Sequence, residues 1–286
     1  MRYAFMSAHE DRHSVQRMCA ALHVTRSGYY AWRSRPISER EKANQVLLQQ
    51  IKDEFRDSRQ TYGSPRIQAA LRRRRIVCGK NRVARLMRQH DVVARKRHKR
   101  HPQTTQREAG VVPAPNRLNQ DFSAPAPNCK WVTDITYIDT QEGWLYLASV
   151  LDLYSRKIVG WAMADHMQTS LVAAALNMAL GRRWPQAGLL HHSDQGSQYT
   201  SLAYQTDLSQ HGCQVSMSRV GNCYDNAVME SFHATLKAEC ADAPFETQAQ
   251  ARTQIFEYIE AWYNRRRLHS TLGYFSPEEF ERQSRH

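Results

Sequence analysis

The first third of the chain repeats short stretches of helical hydrophobic spacing separated by turns. Residues 15–32 predict a helix, a turn and a second short helix, with Thr25 as the N-cap of the second helix. Residues 39–55 carry apolar side chains at helical spacing and predict a longer helix. The first pair has the pattern of a small helix-turn-helix, although about 30 residues are too few to fold alone.

Two further helices are predicted between residues 62 and 90, each after a turn. In the turn at residues 62–65, Ser64 is the expected N-cap and Pro65 the first helical residue. Asn81 is the expected cap of the next helix, on which arginines at positions 82, 85 and 88 point outward. The pattern is typical of a helix-turn-helix DNA-binding module, but helices that do not bind DNA share it, so spacing alone leaves both interpretations open.

The pattern changes at Trp131, where β-rich alternation begins. Three strands, a helix, a strand, a helix, a strand and further helices follow, an order typical of an α/β fold with a mixed sheet. The predicted strands are residues 131–138, 144–155, 157–164, 188–195 and 213–217, and the predicted helices are residues 169–180 (capped by Thr169 or Ser170), 202–211, 226–240 and 247–267.

A basic run, RKRHKRH at residues 95–101, stands between the two halves, followed by a Pro-, Gln- and Ala-rich stretch. We interpret residues 97–126 as an extended linker that follows phosphates. The sequence therefore predicts a division into a small helical segment at 1–36, a helix-turn-helix-like domain at 37–96, the linker at 97–126 and an α/β domain at 127–286.

Charge separates the two halves of the chain. The 286 residues carry a formal net charge of +13. Residues 1–120 hold 27 Lys and Arg against 9 Asp and Glu, whereas residues 121–286 hold 13 against 18. Because Lys and Arg bind phosphate without regard to base sequence, the first half is a candidate DNA-binding region, unless its charges only solvate helices.

Two classes of protein are excluded by the sequence. No stretch approaches the roughly 18 consecutive apolar residues of a membrane span, and residues 1–12 lack the apolar region of a secretion signal. The six cysteines include no C-x-x-C pair, so neither a zinc knuckle nor a disulfide framework is indicated. We expect a reducing, cytoplasmic compartment.

Three acidic residues occupy positions suited to chemistry. Asp134 lies inside the first predicted strand, Asp194 at the end of the fourth, and Glu230 on a predicted helix. A carboxylate in an apolar strand is costly unless it is paired, solvent-facing or bound to metal. One face of the helix carries Asn226, Glu230, His233 and Lys237. Glu230 is thus expected to point towards both aspartates, unless this face is a plain Glu–Lys surface stripe.

Three such carboxylates suit a metal-dependent phosphoryl transfer. Mg²⁺ prefers oxygen ligands. Two ions about 4 Å apart can bind the attacking and the leaving oxygen of the reaction, which then needs no covalent intermediate with the protein. An acidic catalytic half beside a basic half is consistent with this chemistry, because the metal ions reverse the local charge.

Four motifs of the second half resemble the DDE transposases of bacterial insertion sequences, in the branch whose second reading frame encodes a retroviral-integrase-like core. The motifs are WVTDITY (131–137), HSDQGSQY (192–199), DNAVMESFHATLKAE (225–239) and YNRRRLHSTLGYFSP (263–277). Upstream segments at 18–32, 62–67 and 81–87 are similar to the N-terminal helical segments of that branch. Leu268 stands where many relatives have proline, and no HHCC zinc module of the retroviral kind is present.

The resemblance implies a ribonuclease-H-like fold, a mixed five-stranded sheet with flanking helices, preceded by small all-α segments. It implies that residues 127–286 are an integrase core in which Asp134, Asp194 and Glu230 form the catalytic triad and bind two Mg²⁺ ions, for which Mn²⁺ is a substitute. The implied reaction is cleavage of DNA at the ends of the element and transfer of the 3′-hydroxyl into target DNA.

The expected DNA contacts follow from the resemblance and from the basic runs. Lys237 matches a basic residue expected near the scissile phosphate, and Asn226, Gln195 and Tyr199 match residues that flank the triad. The other expected contacts are Arg66, Arg82, Arg85, Arg95, Lys96, Arg97, Arg265, Arg266 and Arg267. For Arg265–Arg267, a basic helix end that interacts with the helix dipole is the alternative.

The expected partners are the terminal inverted repeats of the element and the target DNA, with at least a dimer joining two ends at the bacterial nucleoid. In this branch an upstream frame often adds another helix-turn-helix and a zipper; this chain is expected to be either the downstream product or a stand-alone form. A metal-dependent nuclease without strand transfer and a non-catalytic DNA-binding regulator are the alternative functions.

Overall fold

The chain divides into two units, Met1–Lys52 and Asp53–His286, in a computed structural model that describes residues 1–95, 113–219 and 222–284. Most of the basic run and much of the predicted linker lie outside the described residues. None of the helices in the described ranges is long and apolar enough to cross a membrane.

The first unit contains three short helices and the start of a longer one. They are α1 (Arg2–Ala8), α2 (Val15–Ala21), α3 (Arg26–Arg33) and α4 (Glu39–Asp57), the last of which continues into the second unit. Thr25 caps α3 by accepting a hydrogen bond from the backbone N–H of Gly28 at 3.1 Å, which confirms the predicted cap.

The second unit begins with α5 (Ser64–Arg73) and α6 (Lys80–Gln89). The predicted caps Ser64 and Asn81 were wrong, because both residues are already helical. Gly63 and Gly79 precede the two helices in extended backbone conformations and supply no side-chain cap. Pro65 lies in the first turn of α5, where its missing backbone N–H leaves no hydrogen bond unmade.

A five-stranded mixed sheet forms the centre of the second unit, in the order β3-β2-β1-β4-β5. Its strands are β1 (Lys130–Ile138), β2 (Leu145–Asp152), β3 (Ile158–Ala164), β4 (Leu190–Ser193) and β5 (Gln214–Met217). Strands β1, β2 and β3 pair antiparallel, and β4 and β5 continue from β1 in parallel. This arrangement confirms the expected ribonuclease-H-like α/β fold.

Helix α7 (Thr169–Arg183) covers one face of the sheet and forms its main core. It approaches β3 closely because Gly160 has no side chain: a Cβ atom there would lie 2.2 Å from the carbonyl oxygen of Ala175. The helix runs to Arg183, beyond the predicted end at 180, and its N-cap is Gln168 rather than Thr169 or Ser170.

The remaining helices are α8 (Ser197–Thr200), α9 (Leu202–Gln210), α10 (Ala227–Glu239), α11 (Gln248–Glu257) and α12 (Pro277–Gln283). The predicted helix at 247–267 is shorter: α11 is followed by a π-helical segment, Tyr258–Tyr263. The segment is tied to β3 because the amide of Asn264 both donates to and accepts from the backbone of Ile158, at 2.9 Å each.

Candidate active site

Asp134 lies within the central strand β1, and Asp194 follows directly after its parallel neighbour β4. Val132 of β1 pairs with His192 of β4, so two residues further along these parallel strands bring Asp134 and Asp194 to neighbouring positions. Adjacent strands are about 4.8 Å apart, within reach of a shared ligand. Both carboxylates act on the buried hydroxyl of Tyr199, whose pKa is raised well above its usual value, by burial first and then by the two negative charges.

Backbone hydrogen bonds orient each aspartate. The Oδ1 atom of Asp134 accepts from the backbone N–H of Ile135 at 2.9 Å, and the Oδ1 atom of Asp194 accepts from that of Gly196 at 3.0 Å. Any Cβ atom at Gly196 would stand 3.1 Å from the Asp194 oxygen, so the turn after β4 fits closely around this carboxylate.

Helix α10, which carries Glu230, lies against β1. At its start, the Nδ2 atom of Asn226 donates to the carbonyl oxygen of Thr133 at 3.1 Å, one residue before Asp134. Two turns later, the Nδ1 atom of His233 lies 3.6 Å from the Oδ2 atom of Asp134. These two contacts lie on either side of Glu230 in the sequence and hold α10 against β1. The Glu230 side chain itself is exposed.

Lys237 extends the same side of α10 along β1. Its Nζ atom lies 3.8 Å from the ring centroid of Tyr137, in a cation–π contact. Burial lowers the pKa of Lys237, and the charge of Asp134 partly opposes that effect. An ammonium group is therefore held within electrostatic range of the paired aspartates.

The carboxylates suit a hard divalent cation such as Mg²⁺ in their donor chemistry, because all three offer oxygen atoms only. Two of them, Asp134 and Asp194, are neighbours. Within the described ranges no three His, Cys, Asp or Glu side chains are gathered closely enough to hold one ion. Glu230, on α10, is exposed. The two aspartates are thus the formed part of the candidate metal site.

Four residues predicted to touch DNA make contacts within the protein. Tyr199 is 1% exposed, and Arg267 is 5% exposed and bonded to Glu239. Asn226 is also buried, and its side-chain amide donates to the carbonyl oxygen of Thr133. Gln195 is half-buried, and its Nε2 atom donates to the carbonyl oxygen of Ser218, which ties the ends of β4 and β5 together. The prediction is corrected most clearly for Tyr199 and Arg267, because neither side chain reaches solvent.

The remaining predicted contacts differ in exposure. Arg66 is half-buried and its Nε atom donates to the carbonyl oxygen of Leu268 at 3.0 Å, so it joins α5 to the C-terminal segment. Arg82 is half-buried, and Arg95 is exposed, 3.6 Å from Asp242. Three arginines are exposed on the surface, namely Arg85, Arg265 and Arg266. Lys96 and Arg97 lie outside the described residues.

Asp225, beside Asn226, is a structural residue that the sequence analysis missed. It is completely buried and accepts hydrogen bonds from Asn116, Gln120 and Arg219. The bond from the Arg219 side chain holds the pKa of Asp225 well below its usual range. Two of its three partners lie more than a hundred residues away and leave no local signal, so only its place in the same motif as Asn226 hinted at a role.

Comparisons with known proteins identify related families and structures. Family models described as Integrase core domain match residues 124–223 and 211–277, and an HTH-like domain matches residues 41–100. The solved intasome of simian T-cell lymphotropic virus in complex with PP2A regulatory subunit B56 gamma includes a chain of 16% identity, with a TM-score of 0.48, over 75% of this chain and 70% of that chain.

Two curated relatives are similar over most of their length. Transposase InsF for insertion sequence IS3A, from Escherichia coli (strain K12), is 42% identical over 284 residues, 98% of each chain. The transposase for insertion sequence element IS904, from Lactococcus lactis subsp. lactis (strain IL1403), is 46% identical over 246 residues, 86% of this chain and 97% of that one. With this identity over nearly full-length relatives and two integrase-core matches across the sheet, the chain belongs to the IS3 family of bacterial insertion-sequence transposases.

Proposed function

We propose that the protein cleaves DNA at the ends of an insertion sequence and joins the freed 3′-hydroxyl to target DNA by a phosphoryl transfer that depends on two Mg²⁺ ions. The observation that carries the proposal is the placement of Asp134 within β1 and Asp194 directly after the parallel strand β4, with helix α10, which bears Glu230, packed against β1. Family membership supports the reaction class, and the oxygen-only donor set supports the metal.

The three carboxylates would hold the metal ions. When bound, Mg²⁺ would activate the attacking water or 3′-hydroxyl and stabilise the leaving 3′-oxygen. Glu230 is the donor that completes the set, and its helix is held in register by Asn226 on Thr133. Lys237, fixed over the Tyr137 ring, would bind the negatively charged phosphate beside the reacting bond.

We assign DNA binding to the basic residues that are exposed at the surface. In α6 the outward positions Arg85 and Arg88 are exposed, whereas Val83, Leu86 and Met87 are buried. Positive side chains on the second helix of such a pair suit contacts to phosphates and base edges. Residues 37–96 would then be the DNA-binding domain and residues 127–286 the catalytic domain.

A homo-oligomer, at least a dimer, follows from the proposed reaction because two element ends have to be held together before they are joined to one target. Each strand-transfer event replaces a phosphodiester bond of the target with a new bond to the element 3′-oxygen. The number of phosphodiester bonds is conserved, so the joining step needs no external energy source.

The test uses the purified full-length chain, Mg²⁺ and labelled duplexes that carry the ends of the element. Asp194→Asn removes one ligand charge, and Asp139→Asn is the matched control, an exposed acid just after β1. We expect Mg²⁺-dependent nicking and joined products from the wild type and Asp139→Asn, and neither from Asp194→Asn. Nicking without joining would favour a nuclease, and equal DNA binding without cleavage by wild type and Asp194→Asn would favour a binding regulator.

A further inference from the structure

The N-terminal unit contains a helix pair, α2 and α3, that lies before the proposed DNA-binding and catalytic domains. The family matches begin at residue 41, whereas α2 and α3 lie at Val15–Ala21 and Arg26–Arg33. Only four residues separate the two helices. A turn of this length between two short helices is the hallmark of a helix-turn-helix.

The turn has the backbone that such a motif requires. His23 adopts a positive φ of 50°, in the left-handed region, which reverses the chain between the helices. The helix ends are defined by side chains: Ser14 accepts from the backbone N–H of Arg17, and Thr25 accepts from that of Gly28. The geometry is therefore specified by the sequence rather than by a flexible connection.

The inner side of the pair is packed and rigid. Met18 and Cys19 of α2 and Tyr29 of α3 are buried with Met6 of α1. Helix α1 approaches α3 so closely that a Cβ atom at Gly28 would lie 2.5 Å from the Tyr3 hydroxyl oxygen.

Glu10, which lies between α1 and α2, also binds α3. Glu10 accepts hydrogen bonds from the Tyr29 hydroxyl and from Arg33, the latter at 2.8 Å. The Glu10 carboxylate therefore links the middle and the last residue of α3. Helix α3 is thus held by its inner residues and by its last arginine, which leaves its outer face as a preformed surface.

That outer face is positively charged and polar. Arg26, Ser27, Tyr30 and Ala31 are all exposed, and α3 contains no acidic residue. Residues 1–35 hold six arginines against two acids, Glu10 and Asp11, which pair with Arg33 and Arg12. A rigid helix with an exposed arginine, hydroxyls and an aromatic ring complements a nucleic-acid groove in shape and in charge.

We propose that residues 1–35 form a second DNA-binding helix-turn-helix, in which α3 enters the major groove of duplex DNA. Arg26, in the first turn of α3, contacts a base edge or phosphate, and Tyr30, one turn later, packs on the sugar–phosphate backbone. This inference rests on the proposed function only for the nature of the ligand, duplex DNA, and needs no catalytic step.

The test measures the affinity of the full-length chain for duplex DNA in the absence of divalent metal. The probes are a duplex carrying one element end and a shuffled duplex of equal length. Arg26→Ala and Tyr30→Ala change the proposed surface, and Arg12→Ala is the matched control, an exposed arginine in the turn between α1 and α2. All three side chains are exposed, so far-UV circular dichroism and thermal melting are expected to match those of the wild type.

We expect Arg26→Ala to weaken binding to the element end on the order of 10-fold and to reduce the dependence on salt by about one released ion. Tyr30→Ala is expected to weaken it several-fold, and Arg12→Ala by less than about 2-fold. In a hydroxyl-radical footprint, Arg26→Ala should lose a block of protected positions that Arg85→Ala retains.

Unchanged affinity and footprint in both α3 variants would overturn the inference. It would also be overturned if these variants lost self-association in sedimentation while binding DNA normally, because α3 would then be a protein-docking surface. The outcome is separable from that of the proposed function. Loss of binding in Arg26→Ala supports this inference even if the wild type cuts no DNA, and normal binding refutes it even if the wild type cuts and joins.

Discussion

Replacing Arg267 with alanine distinguishes a structural arginine from a DNA-binding one. The guanidinium is 5% exposed and donates to both oxygens of Glu239, at distances of 2.7 to 3.0 Å. Although burial lowers the pKa of Arg267, the hydrogen bonds to Glu239 raise it above its usual value. Arg267→Ala would leave the Glu239 carboxylate, itself only 8% exposed, with the weaker donors Tyr258 and Trp262.

The expected loss in the free energy of unfolding is about 3–5 kcal/mol, the usual cost of removing one partner from a buried ion pair. For a unit of this size each kcal/mol corresponds to roughly 2–4 °C in melting temperature, so the variant should melt about 6–20 °C lower. A double variant, Glu239→Met with Arg267→Met, should recover much of this loss, because two apolar side chains leave no charge unpaired.

Urea unfolding followed by tryptophan fluorescence measures the effect, and Arg266→Ala is the control, since its neighbouring side chain is exposed. Arg266→Ala should change stability by less than about 0.5 kcal/mol. The reasoning is refuted if Arg267→Ala unfolds within about 1 kcal/mol of the wild type and instead loses DNA affinity, because Arg267 would then be the DNA contact that the sequence suggested.

Three further predictions test other parts of the fold. Gly160→Ala should lower stability by about 1–3 kcal/mol or prevent folding, because its Cβ atom meets the α7 backbone, whereas Gly181→Ala, with open space around it, should be neutral or stabilising in thermal melts. Burial lowers the pKa of His191 to about 3, so stability present above the unfolded pKa near 6.5 should be lost as pH falls towards 3; His191→Gln should flatten that slope in urea titrations at pH 7.5 to 5. Asn226→Ala should slow single-turnover cleavage about 10- to 100-fold while DNA affinity stays within about 2-fold, and a parallel fall in affinity would contradict a positioning role.

The strands and helices of the α/β domain, and their order along the chain, were predictable because the signals are local. Alternation of apolar and polar residues begins at Trp131, and helical spacing of apolar residues marks α7 and α10. The order of strands and helices along the chain is typical of an α/β fold with a mixed sheet. The neighbouring positions of Asp134 and Asp194 follow from the parallel pairing of β1 with β4, in which Val132 lies opposite His192. The N-cap role of Thr25 was also predictable from local sequence, because its hydroxyl accepts a hydrogen bond from the backbone N–H of Gly28, only three residues later.

The partners of buried charges were not predictable, because the residues concerned are distant in sequence. Glu239 and Arg267 are 28 residues apart, and Asp225 bonds residues 105 and 109 positions before it. In the sequence each looks like an ordinary charged residue on a polar surface. Burial, which only the folded chain defines, changes their role from solvation to the fixing of one segment on another.

The position of α10 connects these buried charges with the part of the second unit that contains α5. Helix α10 is held at its start by Asn226 on β1 and at its end by Glu239 on Arg267. The next residue, Leu268, donates its N–H to the Tyr62 hydroxyl at 2.7 Å and accepts from Arg66 at 3.0 Å. The turn before α5, and α5 itself, are thus bonded to the segment that anchors the helix of Glu230. Two of the arginines that the sequence assigned to DNA, Arg66 and Arg267, make this connection, so basic charge in the sequence does not by itself identify a DNA contact.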